Sequence, residues 1–225
     1  YSQTGEDGII ESIFNEIGTT NKVCIEFGES GSGGNTKLLR DKQNWLATLF
    51  DANPKKPISK KAFITVSNIN ELFFKYNVPN VFDLLSIDID GNDYWVWNSI
   101  NKIYRPRVLV IEYNCNFPLS VSKTIKYNEK HTYNRNIYYG ASLSALKKLG
   151  ESKGYSLVYI SSFLNLFFVD NSLIKQSIDV TTNFKYPLNI IQECKKWKIN
   201  TPTWFNKETN KVFPDLLNKE WVNIL

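Results

Sequence analysis

Apolar residues recur along this chain with two periods. Ile9, Ile10, Ile13, Phe14 and Ile17 follow the capping signal Thr4-Gly5-Glu6-Asp7 at helical spacing and stop at Gly18, which predicts an opening amphipathic helix. Short apolar runs predict strands over Val23–Phe27, Trp45–Phe50, Ala62–Val66, a fourth segment through Leu84, Leu85, Ile87 and Ile89, and Val108–Tyr113. Between them lie helical stripes through Leu38 and Leu39, through Ile69, Leu72, Phe73 and Tyr76, and through Tyr94, Trp97 and Ile100, the last kept from continuing by Pro106. Leu143, Leu146 and Leu149 mark a further helix ended by Gly154, after which Tyr155–Ile160 and Leu166–Val169 alternate across Ser161-Ser162 as a hairpin.

Strands separated by helices predict parallel crossovers, and the closing hairpin an antiparallel edge. The expected fold is α/β: a mostly parallel seven-stranded sheet with an antiparallel edge hairpin, helices on both faces and a helical C-terminal tail. The main domain spans 1–170, with the polar, aromatic stretch 114–140 as a lid or substrate loop. Residues 171–225, where Trp197, Trp204 and Trp221 stand out of a weak pattern, form a helical extension packed on the same domain. Between the second and third strands only Ala52 to Lys61 remain, with Pro54 and Pro57, so that crossover is lean.

A chain of 225 residues with 42% hydrophobic content supports one sizeable core. Its net charge of +5 comes from 27 basic and 22 acidic residues spread along the chain, and the densest basic stretch, Lys55-Lys56 with Lys60-Lys61, carries no interleaved aromatics, so no nucleic-acid partner is expected. Cys24, Cys115 and Cys194 fit neither a disulfide framework nor a paired zinc motif, which points to a reducing, cytoplasmic setting. No apolar run approaches the roughly 18 residues of a membrane span, and the chain opens without a signal-type apolar segment.

The chemistry gathers where strands end. Phe82-Asp83-Leu84-Leu85-Ser86-Ile87-Asp88-Ile89-Asp90-Gly91-Asn92-Asp93 is a buried-type strand that runs out into carboxylates, and open α/β sheets bind ligands at that edge. Asn92 and Asp93 also suit a turn and a helix cap. After the first strand comes the loop Gly28-Glu29-Ser30-Gly31-Ser32-Gly33-Gly34, which has neither the G-x-G-x-x-G spacing, since Thr36 stands where a third glycine would fall, nor a Walker lysine. Glu26 and Gly28 match instead the E-x-G form of S-adenosylmethionine sites. Asp51 ends the second strand about twenty residues after the loop, where a carboxylate accepts both ribose hydroxyls of an adenosyl cofactor. Ser30 and Thr36 in the loop and its following helix, and Asn68 at the start of a later helix, complete the expected cofactor contacts.

Glu112 and Asn114 end the fifth strand, so that Asp88, Asp90, Glu112 and Asn114 can converge. Asp88, Glu112 and Asn114 are hard oxygen ligands suited to Mg²⁺ or Mn²⁺, and a metal there orients a substrate hydroxyl; the other reading is that Glu112 hydrogen-bonds a loop or substrate without metal. His131, the single histidine, has an ordinary pKa of roughly 6.5 suited to general-base work, although an exposed loop position is the commoner role.

On these residues the chain resembles the FkbM-like family of S-adenosylmethionine-dependent methyltransferases, in particular a bacterial branch. The matching segments are Ser2-Gln3-Thr4-Gly5-Glu6-Asp7-Gly8-Ile9-Ile10, Ile25-Glu26-Phe27-Gly28, Ser86 through Asp93, Arg107 through Asn114 and Tyr139-Gly140-Ala141-Ser142-Leu143, within residues 1 to 170. The resemblance implies a Rossmann-like methyltransferase fold with cofactor contacts at Glu26, Gly28, Asp51 and Asp88, and at Gln3 and Asp7 of the first helix. Related enzymes act mainly on hydroxyls of sugars and secondary metabolites, so the expected reaction is methylation of a hydroxyl on a sugar, nucleotide-linked sugar or surface-glycan precursor, as in capsular polysaccharide biosynthesis. Such a displacement depends mostly on positioning, with Asp88, Asp90 or His131 assisting deprotonation. Asp83 and Asp88 also stand five apart, as do the strand-four aspartates of metal-dependent catechol-type O-methyltransferases. Two rivals are a glycosyltransferase using Asp88-Ile89-Asp90 to chelate a metal-bound sugar nucleotide, and a non-catalytic binding module on the same scaffold.

Overall fold

In the computed structural model, residues 1–3, 5–29, 33–134, 136–161, 164–174 and 219–225 are described. The elements run α1 (Glu6–Ile17), β1 (Val23–Phe27), α2 (Lys37–Gln43), β2 (Leu46–Asp51), β3 (Ser59–Lys61), α3 (Ile69–Lys75), β4 (Val81–Ile87), α4 (Asp93–Ser99), β5 (Arg105–Glu112), β6 (Lys123–Ile125), α5 (Leu143–Ser152), β7 (Tyr155–Ile160), β8 (Asn165–Asp170) and β9 (Trp221–Asn223). Seven strands form one sheet in the order β3-β2-β1-β4-β5-β8-β7. The strands from β3 to β5 are mutually parallel, while β8 pairs antiparallel with both β5 and β7. The expected mostly parallel sheet with an antiparallel edge hairpin is therefore present.

Alternate residues of each central strand feed two cores, as a pleated sheet covered on both faces requires. Ile25, Leu85, Leu109, Ile111 and Phe168 join Phe73, Trp97 and Leu146 of α3, α4 and α5 on one face. Cys24, Leu84, Val108, Val110 and Phe167 join Ile10 and Phe14 of α1 and Leu39 of α2 on the other.

Three boundaries differ from the sequence expectation. The third strand is Ser59–Lys61, paired in parallel with Leu49–Asp51, and not Ala62–Val66. Pairing ends where Ala62 N–H donates to the Asp51 carbonyl, and Ile64 buries its side chain from a loop. Apolar character there marks no ladder, and Phe63 beside Ile64 is exposed. Pro106 does not stop α4, which ends at Ser99; it sits in β5 opposite Phe82. The expected helical tail falls largely on 175–218, outside the described residues, as do Trp197 and Trp204. Within the described part, Asn171–Leu173 form a single 3-10 turn and Trp221 lies in β9, paired antiparallel with β6 of the 114–140 stretch. Trp221 stacks edge-on against Phe117 and Tyr138, which ties the chain end to that stretch.

Candidate active site at the carboxyl edge of the sheet

The chain reverses its direction of travel across the sheet between β3 and β4, so β1 and β4 flank a topological switch point, where open α/β sheets leave a ligand crevice. Gly28 follows β1 there with φ 80°, and a Cβ on it would lie 1.7 Å from the Asp88 backbone oxygen. Only glycine lets these two strand ends close to that distance. Gly28 N–H also donates to the Phe50 carbonyl of β2 at 2.8 Å, so one residue fastens three strand ends.

The remainder of the glycine loop is shaped from beneath. Glu26 is buried; one of its carboxylate oxygens accepts from Asn35 N–H at 2.6 Å and the other from Thr36 N–H at 3.0 Å and Thr36 Oγ1. Burial pushes its carboxyl up to about 7 against the pull of those donors. Glu26 and Thr36 therefore hold the loop and the start of α2 to each other. Ser30 lies outside the described residues.

A cleft of about 300 Å³ opens beside this point, lined in part by Gly28, Asp51, Asp88, Asp90, His131 and Tyr133. Asp51 ends β2 and accepts from Asn53 N–H at 2.6 Å, a turn that fixes the carboxylate at the cleft wall. Asp90 has a left-handed backbone, φ 56°. Asp93 builds the turn around it, since its two oxygens accept from Ile89 N–H at 2.9 Å and Gly91 N–H at 2.8 Å. Burial raises the Asp93 carboxyl to about 6 despite these bonds. Asn92 is the N-cap residue of α4 but its side chain does not cap; its amide donates to the Asn128 carbonyl at 2.8 Å and anchors the 114–140 stretch over the site.

That stretch delivers His131. Its ring lies on Gly91, where a Cβ would come within 2.2 Å of Cδ2, beside the Asp90 backbone, while Nε2 is buried without a partner. Burial lowers its pKa, opposed by Asp90, so the ring favours the neutral form able to accept a proton.

Asp88, Asp90 and Glu112 place one carboxylate oxygen each within 4.8 Å of one another. Burial, then their mutual repulsion with Asp93, pushes Asp88 and Glu112 well above the usual carboxylate range. Burial and Asp51 raise Asp90 as well. Asn114 does not join them: its Oδ1 accepts from Asn116 N–H and Nδ2, and its own Nδ2 donates to the Ile137 and Tyr139 carbonyls. With both oxygen lone pairs occupied it has none for a metal.

Other expected residues stand elsewhere. Asp83, near the start of β4, is about 16 Å of strand from Asp88. It accepts from Thr20, Asn21 and Lys22 N–H groups and from Arg107 Nη1 at 2.7 Å, and is an anchor of the sheet's opposite edge. Asn68 braces the turn before α3, accepting from Thr65 N–H and donating to the Phe63 carbonyl, both at 2.9 Å. Gln3 is exposed, and the Asp7 carboxylate accepts from Ser2 Oγ rather than facing the acidic trio. The residue of α1 that does face the trio is Glu6, whose charge reaches Asp88. It stands four and eight residues before Ile10 and Phe14 on the buried stripe, a signal available in the sequence.

No protein-family model matches the sequence, and no curated protein matches it. Among solved structures, the chain is similar to the N-terminal domain of EvdMO1 in the presence of SAH and D-fucose, at 8% identity and TM-score 0.45 over 76% of this chain and 84% of that one. It is similar to magnesium protoporphyrin IX methyltransferase (ChlM) from Synechocystis PCC 6803 with bound SAH, at 12% identity and TM-score 0.41 over 75% and 83%. A third is an S-adenosylmethionine-dependent methyltransferase from Clostridium acetobutylicum ATCC 824, at 8% identity and TM-score 0.40 over 76% and 92%. Identities this low carry no residue's role across, and what the edge of this sheet does has to follow from its own side chains.

Proposed function

We propose that the protein is an S-adenosylmethionine-dependent O-methyltransferase of FkbM-like type, acting on a hydroxyl of a sugar or glycan precursor. One observation carries the reading: Gly28 closes on the Asp88 backbone at the switch point, with Asp51 across a cleft of about 300 Å³. That volume lies at the lower end of ligand pockets. The described lining residues include Asp51, Asp88 and Asp90 but no Lys or Arg. Such a wall suits a ribose diol and a sulfonium cation and repels a pyrophosphate, which supports the adenosyl cofactor over a sugar nucleotide.

When bound, S-adenosylmethionine supplies an electrophilic methyl group and leaves as S-adenosylhomocysteine. Gly28 and Asp51 would hold its adenosine half, and Asp88, on the same cleft wall, would offset its positive charge. The chain's further tasks are to position the acceptor hydroxyl and take its proton, as a displacement governed by positioning requires. Asp88 and Asp90, their carboxyls raised by burial, and His131 through the unpartnered Nε2 are the proton acceptors within reach of the cleft. Among the described residues no helix is long and apolar enough to cross a membrane, and Cys24 and Cys115 are free thiols, in keeping with a cytoplasmic enzyme.

The acidic trio favours a second reading, in which Asp88, Asp90 and Glu112 hold Mg²⁺ or Mn²⁺, either beside the methyl donor or for a sugar nucleotide. Calorimetry separates the two. S-adenosylhomocysteine is expected to bind in the presence of a chelator, with Asp51→Ala weakening it at least tenfold. Binding of a uridine diphosphate sugar with Mn²⁺ alone overturns the methyltransferase, and binding of neither leaves a non-catalytic module.

A further inference from the structure

The carboxyl edge continues past the cleft onto β5 and β8. Glu112 stands directly opposite Asn165 in that antiparallel pair, so their side chains leave the sheet on one face. It is the face under α1, because Val110 and Phe167, each two residues away along its strand, belong to the core with Ile10 and Phe14. Glu112 and Asn165 are only 9% and 1% exposed, yet Glu112 Oε2 and Asn165 Oδ1 are enclosed with no hydrogen-bond partner. Asn165 Nδ2 donates to Glu6 Oε1 at 3.3 Å, which brings α1 into the same group.

Orphaned buried acceptors are rare in native proteins, because each forfeits the hydrogen bonds it made to water. Two of them lie here at the rim of three convergent carboxylates, and no ion pair between described residues reaches Asp88, Asp90 or Glu112. A partner for these two acceptors must bring hydrogen-bond donors, and one that also carries positive charge gains from the neighbouring carboxylates. A neutral hydroxyl brings one donor and no charge, a phosphate brings negative charge, and an ammonium brings three donors with a full positive charge.

We propose that Glu112, Asn165 and Glu6 form the acceptor subsite, and that the acceptor is a polyol bearing a protonated amine, an amino sugar in place of a neutral or phosphorylated one. This rests on the methyltransferase reading for the fate of the hydroxyl, but not for the binding of the amine. The row Asp51, Gly28, Asp88, Glu112, Asn165 follows the strand order β2-β1-β4-β5-β8. At one strand spacing per step it spans roughly 19 Å, room for cofactor and acceptor on either side of Asp88.

The test is ligand-observed NMR on the protein saturated with S-adenosylhomocysteine, with D-glucosamine, D-glucose and glucose 6-phosphate as probes and a Mg²⁺ titration beside them. D-glucosamine is expected to bind at least tenfold more tightly than D-glucose. Glu112→Gln or, should that variant not fold, Asn165→Ala is expected to cut the preference to less than threefold. Equal binding of the two sugars, tighter binding of the phosphate, binding of none, or tight Mg²⁺ binding that displaces the amine overturns the subsite. Failure of S-adenosylhomocysteine to bind while the amine preference persists overturns the methyltransferase reading alone.

Discussion

Replacing Glu112 by Gln is expected to stabilise the fold while removing function. Glu112, Asp88 and Asp90 bring carboxylate oxygens within 4.8 Å of one another. At an effective dielectric of about 20, two full charges at that distance repel by about 3 kcal/mol. Proton uptake and the exposure of Asp90 relieve part of this, so the net gain from Glu112→Gln at pH 7 is expected to be about 1–2 kcal/mol. For a chain of this length that raises the melting temperature by roughly 2–8 °C. The sign follows from linkage. Burial and the neighbouring aspartates hold the folded Glu112 carboxyl above its unfolded value, so the penalty is absent at pH values below the ordinary carboxylate range. It grows as pH rises through the unfolded pKa and levels off above the folded one. Urea denaturation of both proteins at pH 3.5, 5, 7 and 8 should therefore show an advantage that vanishes at the acid end. A variant less stable than the parent at pH 7, or one whose advantage is the same at pH 3.5 and 8, would refute the placement of Glu112 among charged neighbours.

Asp83→Asn has the opposite sign: it leaves the buried Arg107 guanidinium, still bonded to the Ile17 and Gly18 carbonyls, without its counter-charge and is expected to cost about 3–5 kcal/mol in denaturant unfolding. Although burial pushes the Asp83 carboxyl up, Arg107 and the N–H groups of Thr20 and Lys22 hold it below the usual range on balance. Its contribution is thus present above the ordinary carboxylate pKa and lost as pH falls through the folded value, readable as a steeper acid unfolding of the parent than of the variant. Gly28→Ala places a methyl 1.7 Å from the Asp88 carbonyl oxygen at a positive φ, and should cost about 2–4 kcal/mol and weaken S-adenosylhomocysteine at least tenfold by calorimetry. The Cys24 thiol, buried in the sheet and raised to about 12 by burial and then Glu26, should resist iodoacetamide at pH 8 until the chain is unfolded, as peptide mass analysis would record.

The strand ends that make the site were legible because buried strands announce themselves as apolar runs, and the polar residue after each run falls at an edge. Gly28, Asp51 and Asp88 were found in this way and meet at one cleft. The same logic failed where a residue's role depends on a partner distant in sequence. Asp83 resembles Asp88 in its run of neighbours, and only the docking of the turn Thr20–Lys22 and of Arg107 gives it a structural task. Asn114 carries suitable ligand atoms, but the loop returning at Asn116, Ile137 and Tyr139 takes them. Asn165 gave no sign at all, since pairing β8 against β5 is what sets it beside Glu112.

The sequence by itself determined the two-faced sheet, the order in which strands and helices arise and the acidic character of one edge, because local periodicity and turn chemistry depend on near neighbours. Tertiary structure alone decided which of those acids face each other, which are neutralised by cations or N–H groups, and that Glu6 and Asn165 join them. Those are matters of distances between strands, and a linear spacing holds no such distance until the strands are paired.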